Sequence, residues 1–170
     1  MQSPTPPDAS AHDPARGPSA EAQLSDAVTL VVAGAKRRAV RDGDPQIDTA
    51  HLLHSLLEAD PEVRAAFPEG AQVARLLGYL VQRSIGYGLQ WQGTVEDSGA
   101  VPLLGAAAPD WSPAVAVAMD AGIERALARG RTHARGTDIL AALAADPECR
   151  AVEVLRRAGV DVPELVRRLG

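Results

Sequence analysis

From Leu24 onward the chain takes on a helical rhythm. Val28, Leu30, Val31, Val32, Ala35 and Ala39 recur at the three- and four-residue spacing that lines one broad helix face. Ser25 or Asp26 stands where an N-cap belongs, since a short side-chain oxygen there accepts from the unpaired N–H groups of the first turn. Lys36, Arg37, Arg38 and Arg41 fall in the last turns, where the helix dipole favours cations, and Gly43 supplies the stop. After Asp44-Pro45-Gln46 a second helix is expected from about Thr49, with Leu52, Leu53, Leu56 and Leu57 pointing inward. Asp60-Pro61 ends it, because proline suits a new first turn but not a helix interior. A short helix to Phe67 and another over Gln72 to Arg83 complete a four-helix unit.

The unit recurs. Sliding the chain by 87 residues sets Ser25 on Ser112, Ala27 on Ala114, Val28 on Val115 and Arg38 on Arg125. The same shift sets Ala39 on Ala126, Gly43 on Gly130, Leu53 on Leu140 and Leu56 on Leu143. Asp-Pro-Glu then appears twice, at Asp60 to Glu62 and, with a one-residue slip, at Asp146 to Glu148. Chance identities are common in an alanine-rich chain, but the helix stop, the leucine spacing and the Asp-Pro break recur together. The pattern predicts repeat one over 24–83 and repeat two over 112–170, an all-α pair. Each half alone is too small for a stable core, so the two should pack as one domain over 23–170.

Composition narrows the picture. The residues are 46% hydrophobic but only 3% aromatic, so the core is aliphatic and rich in good helix formers. Residues 1–22 carry Pro4, Pro6, Pro7, Pro14 and Pro18 among small polar residues and read as a disordered tail. The 84–111 linker holds Tyr87, Trp91 and Trp111, and the tryptophans would cover the seam between repeats. No apolar run approaches the ~20 residues of a membrane span, and the start lacks the apolar core of a signal peptide. A cytoplasmic protein without a membrane contact is the expectation. The net charge of −5 argues against nucleic acid as a partner.

The two units together resemble the amino-terminal substrate- and adaptor-docking domain of the Clp (caseinolytic protease) ATPases. The first carrying segment is Gly43-Asp44-Pro45-Gln46-Ile47-Asp48-Thr49-Ala50-His51-Leu52-Leu53, close to the family's Ile-Gly-Thr-Glu-His motif before a leucine-rich helix. The second is Arg135-Gly136-Thr137-Asp138-Ile139-Leu140, and the chain closes on Val154-Leu155-Arg156-Arg157-Ala158-Gly159-Val160-Asp161, near the family's tail. The resemblance covers about 24–170. It implies two four-helix repeats related by pseudo-two-fold symmetry and a non-catalytic module. The partners it implies are proteins or peptides: Clp protease substrates, adaptors or a Clp ATPase itself. In some members the motif glutamates help bind phosphorylated arginine. Here Ala50 takes that place in repeat one and, in the register that Leu140 and Leu143 set, Thr137 takes it in repeat two, with Asp138 at the histidine position. The guanidinium half of such a site is therefore expected to be missing.

The expected peptide-binding surface is the pair of second-helix starts, Asp48, Thr49, Ala50 and His51 with Gly136, Thr137 and Asp138, and Trp91 as an aromatic anchor near the seam. Backbone N–H groups at helix starts can hold an anion or a peptide carbonyl. No ATP-binding loop of the G-x-x-x-x-G-K-[ST] type is present, which reads as a free-standing docking domain serving as adaptor or decoy in regulated proteolysis. His51 and His54, three residues apart, lack an evident third ligand, so neither metal nor cofactor is expected, and His51 is read as bonding nearby backbone. Cys149 reads as a packed thiol. Two alternatives stand beside the docking module: a residual hydrolase using Cys149 or a histidine, and a DNA-binding regulator using the basic clusters at 36–41, 125–135 and 156–168.

Overall fold

The structure is a computed structural model, and it describes residues 23–84 and 110–170. Within them the order is α1 (Asp26–Asp42), β1 (Gln46–Ile47), α2 (Thr49–Ala59), α3 (Pro61–Ala65) and α4 (Gly70–Ser84), then β2 (Asp110–Trp111), α5 (Pro113–Ala128), α6 (Gly136–Ala145), α7 (Arg150–Arg157) and α8 (Val162–Leu169). The fold is all-α. The 1–22 tail, Trp91 and most of the 84–111 linker lie outside the described residues.

Local chemistry starts and stops the helices where the pattern placed them. Ser25 and Ser112 cap α1 and α5 identically, each hydroxyl accepting from the N–H three residues on, at 3.3 Å. Gly43 and Gly130 end those helices at φ 70° and 72°, the left-handed conformation that glycine adopts without a side-chain clash. The turn that follows is closed alike in both repeats, by Asp44 N–H to the Ala39 carbonyl and Arg131 N–H to that of Ala126, each 2.9 Å. Asp60 caps α3, ahead of Pro61 at its first position.

Each repeat is built on one extensive helix pair, α1 on α2 and α5 on α6. Leu52, Leu53, Leu56 and Leu57 are all buried, as are Ile139, Leu140 and Leu143. The buried face of α1 is narrower than the sequence suggested: Val28, Val31, Ala35 and Ala39 are buried, but Leu30 is 66% exposed. At about 100° per residue, Leu30 stands roughly 200° round from Val28, beyond the face that α2 covers. Its repeat-two counterpart Val117 is equally exposed, at 65%.

The repeats are fastened to each other reciprocally. Ile47 pairs with Trp111 in the parallel β1–β2 ladder, and Leu24 pairs with Ala134 in an isolated parallel bridge. A shift of 87 residues turns Leu24 into Trp111 and Ile47 into Ala134, so these two pairings are one contact seen from its two ends. The hydrogen bonds agree: Ser112 N–H donates to the Ile47 carbonyl at 2.9 Å, and Ser25 N–H to that of Ala134 at 3.0 Å. Helices follow the same exchange, with α7 set against α2 and α3 against α6. This is the pseudo-two-fold arrangement that the family resemblance implied. The short strands were not anticipated, because two residues carry no readable alternation.

Candidate functional site

The start of α2 is where the repeats meet through charge. Asp48 caps the helix: its Oδ1 accepts from His51 N–H at 2.8 Å, while the ring Nδ1 of His51 accepts from Asp48 N–H at 3.1 Å. The other carboxylate oxygen, Oδ2, is gripped by Arg83 from the end of α4 and by Arg150 from the start of α7, the latter at 2.8 Å. Burial opposes a charge on Asp48, but the hydrogen bonds from His51 and the Arg83 guanidinium hold it well below the usual carboxylate range. One residue on, the Thr49 hydroxyl accepts from Ala151 N–H at 3.0 Å, so two adjacent side chains of repeat one tie down the start of α7.

Around the ring of His51 lies a second set of acids. Gly43 turns the chain so that Asp42 and Asp44 both reach it; Nε2 lies 3.0 Å from Asp44 Oδ2 and 3.5 Å from Asp42 Oδ2. The ring is 2% exposed, and Nε2 is not aligned for a hydrogen bond to either carboxylate. Burial works against a charged ring, yet Asp44 and Asp48 outweigh it and push His51 up to about 9. His54 goes the other way. Burial, then Arg38, push it down to about 4, although Glu58 Oε1 is 3.2 Å from its Nε2.

Repeat two uses the same two positions with the charges exchanged. Where repeat one has Asp44 and His51, repeat two has Arg131 and Asp138, joined by two hydrogen bonds of 2.5 and 2.7 Å. Asp138 also accepts from Arg135 N–H at 2.9 Å, the counterpart of the Asp48–His51 box. Asp138 therefore sits at the histidine position, the register that Leu140 and Leu143 implied. Burial opposes its charge, but Arg131 and the Arg135 N–H lower its pKa.

The expectation that these helix starts lie open is corrected. Asp48, Thr49, Ala50, His51, Gly136 and Asp138 are buried, and only Thr137 is partly exposed. The physical reason is the reciprocal packing: α7 closes over the start of α2, and α3 over that of α6, where Gly136 leaves no room for a Cβ against Asp60. Ala50 has no exposure, so a glutamate there would bury a carboxylate rather than offer it to a ligand. Asp42, Asp44, Arg83 and Arg150 are the members of this site that the sequence reading missed. The Asp42-Gly43-Asp44 spacing around a predicted turn was the available signal for the first two; the arginines come from distant elements.

Cys149 caps the start of α7, buried, with its thiol donating to the Leu143 carbonyl at 3.5 Å. His133 is exposed, its Nδ1 2.7 Å from the Thr132 hydroxyl. Between α1 and α5 the surface opens into a hollow of about 450 Å³, lined by Leu24, Thr29, Val32, Trp111, Met119, Asp120 and Ile123. Among the described residues no helix is long and apolar enough to cross a membrane.

Neither the family models nor the curated proteins compared contain a match to this chain. Solved structures do match in fold. One is the N-terminal domain of the caseinolytic protease associated chaperone ClpD from Arabidopsis thaliana, with a TM-score of 0.62 at 14% identity, covering 86% of this chain and 92% of that one. Another, from preliminary structural investigations of a malarial protein secretion system, has a TM-score of 0.63 at 15% identity, with the same two coverages. The chain thus has a Clp N-terminal-domain-like fold.

Proposed function

We propose that this chain is a non-catalytic protein- or peptide-binding module that acts in regulated proteolysis in the cytoplasm, as adaptor or decoy beside a Clp-type protease. The observation that carries the reading is the fold shared with the ClpD N-terminal domain over 86% of the chain. It is an inference from fold, strengthened by the hollow between α1 and α5, where apolar walls and the single acid Asp120 suit an apolar side chain of a peptide. The buried helix starts then serve as supports, and Thr137 is the part of them a partner can touch. Neither repeat offers an acid at the position that would meet a guanidinium, so free phosphoarginine should give little or no heat in calorimetry.

Casein degradation by a Clp ATPase and its protease tests the reading. An adaptor raises the rate and a decoy lowers it. Thr29→Arg, an exposed change that sets a guanidinium over the hollow, should abolish either effect while the thermal melt stays unchanged. An unaltered degradation rate, with no complex formed in solution, would sink the proposal.

A further inference from the structure

We propose that Asp42, Asp44 and His51 form a site for a divalent first-row transition cation, zinc foremost. The inference is independent of the docking function. His51 has a buried ring whose Nε2 has no hydrogen-bond partner and lies between two carboxylates. One ligand atom from each of the three residues falls within 4.8 Å of the others. Zinc bonds of about 2.0–2.1 Å in tetrahedral geometry place neighbouring ligand atoms roughly 3.3 Å apart. The distances from Nε2, 3.0 Å to Asp44 Oδ2 and 3.5 Å to Asp42 Oδ2, bracket that value.

The surroundings suit an ion. Asp48 fixes the ring from behind, its N–H donating to Nδ1 at 3.1 Å, so Nε2 faces the two acids and a cation binding there displaces the Nε2 proton. Asp48 is itself held by Arg83 and Arg150. Arg41 engages the Oδ1 of Asp42, which leaves Oδ2, an acceptor for the Ser84 hydroxyl at 3.1 Å, turned toward the ring. Arg83, 3.6 Å from Asp44, is already bound to Asp48 and can withdraw onto it. Asp44 is 37% exposed and opens the site to solvent. Three protein ligands leave a fourth position for water or for a donor from a partner. Repeat two shows that the fold does not require these acids: the equivalent positions are Arg129, Arg131 and Asp138, a set that would repel a cation.

The full chain, stripped of metal, is titrated with zinc chloride by calorimetry and with cobalt(II) by visible absorption. One equivalent should bind in the micromolar range or tighter, and cobalt should show the strong bands of a tetrahedral N/O site. Asp44→Asn and Asp42→Asn should each weaken binding tenfold or more, while His133→Ala leaves it unchanged. Asp44→His should keep one zinc and shift the cobalt spectrum, a result that an unfolded variant cannot produce. Absence of binding at millimolar zinc, or equal affinity in Asp42→Asn, Asp44→Asn and the natural chain, overturns the proposal.

Discussion

At the scale of single residues, the two histidines of α2 give the protein opposite responses to pH. His54, pushed down to about 4 in the fold, takes up a proton more readily when unfolded, with an ordinary value of 6.5. Its contribution therefore falls as pH drops from about 6.5 toward 4. His51, raised to about 9, stabilises the fold fully below 6.5 and loses that contribution as pH climbs through 9. Stability should peak near pH 6.5, and urea titrations at pH 5, 6.5 and 9 will read it. His54→Asn should flatten the acid side; a natural chain as stable at pH 5 as at 6.5 would contradict the assignment. Further acidification removes Asp48 and Asp138, both lowered in the fold, so their stabilisation is lost as pH falls below the ordinary 3.8. Asp48→Asn keeps the shape and a cap acceptor but strips the charge facing Arg83 and Arg150. Breaking the buried ion pair between Asp48 and Arg150 should cost about 3–5 kcal/mol in denaturant unfolding, and a loss under about 1 kcal/mol would refute the role given to Asp48.

At the scale of elements, glycines report how closely helices approach. A Cβ on Gly122 would lie 2.4 Å from Ile139 Cδ1, so Gly122→Ala forces that side chain aside where α5 meets α6. Overpacking costs of ~1–3 kcal/mol should exceed the ~1 kcal/mol gained in helix propensity. Ile139→Val, which deletes Cδ1, should recover most of the loss in a double-mutant cycle. Gly78 in α4 meets nothing within 4 Å, so Gly78→Ala should stabilise by ~0.5–1 kcal/mol; a destabilisation there would count against the open space around Gly78. Elements of this kind were legible in the sequence. Ser25, Gly43, Asp60-Pro61 and the four leucines of α2 each act within a turn or two of where they stand, so local rules suffice. The outward turn of Leu30, the two-residue strands and the grip of Arg83 and Arg150 on Asp48 depend on segments far apart in the chain, and nothing in a short window carries them. The burial of the expected contact residues has the same origin: only the packing of α7 on α2 and α3 on α6 closes over them.

At the scale of the whole molecule, each repeat completes the other through the β1–β2 ladder, the Leu24–Ala134 bridge and the exchanged helix contacts. Residues 23–84 alone would bare the carbonyl of Ile47, the buried charge of Asp48 and the side of α2 that α7 covers. That fragment should show no cooperative melt by circular dichroism, while the full chain melts in a single transition; a folded, protease-resistant fragment would break the picture. The exchanged clasp also has a mechanical meaning. Ala134 receives Ser25 N–H at 3.0 Å and donates to the Gln23 carbonyl at 2.8 Å, just ahead of α1. A pull on the amino-terminal end thus loads the second half of the protein, through the Leu24–Ala134 bridge, before the first helix can unravel. In an optical trap the described body should give way in one high-force rip, so a motor threading it from that end would stall at Leu24 until the clasp yields.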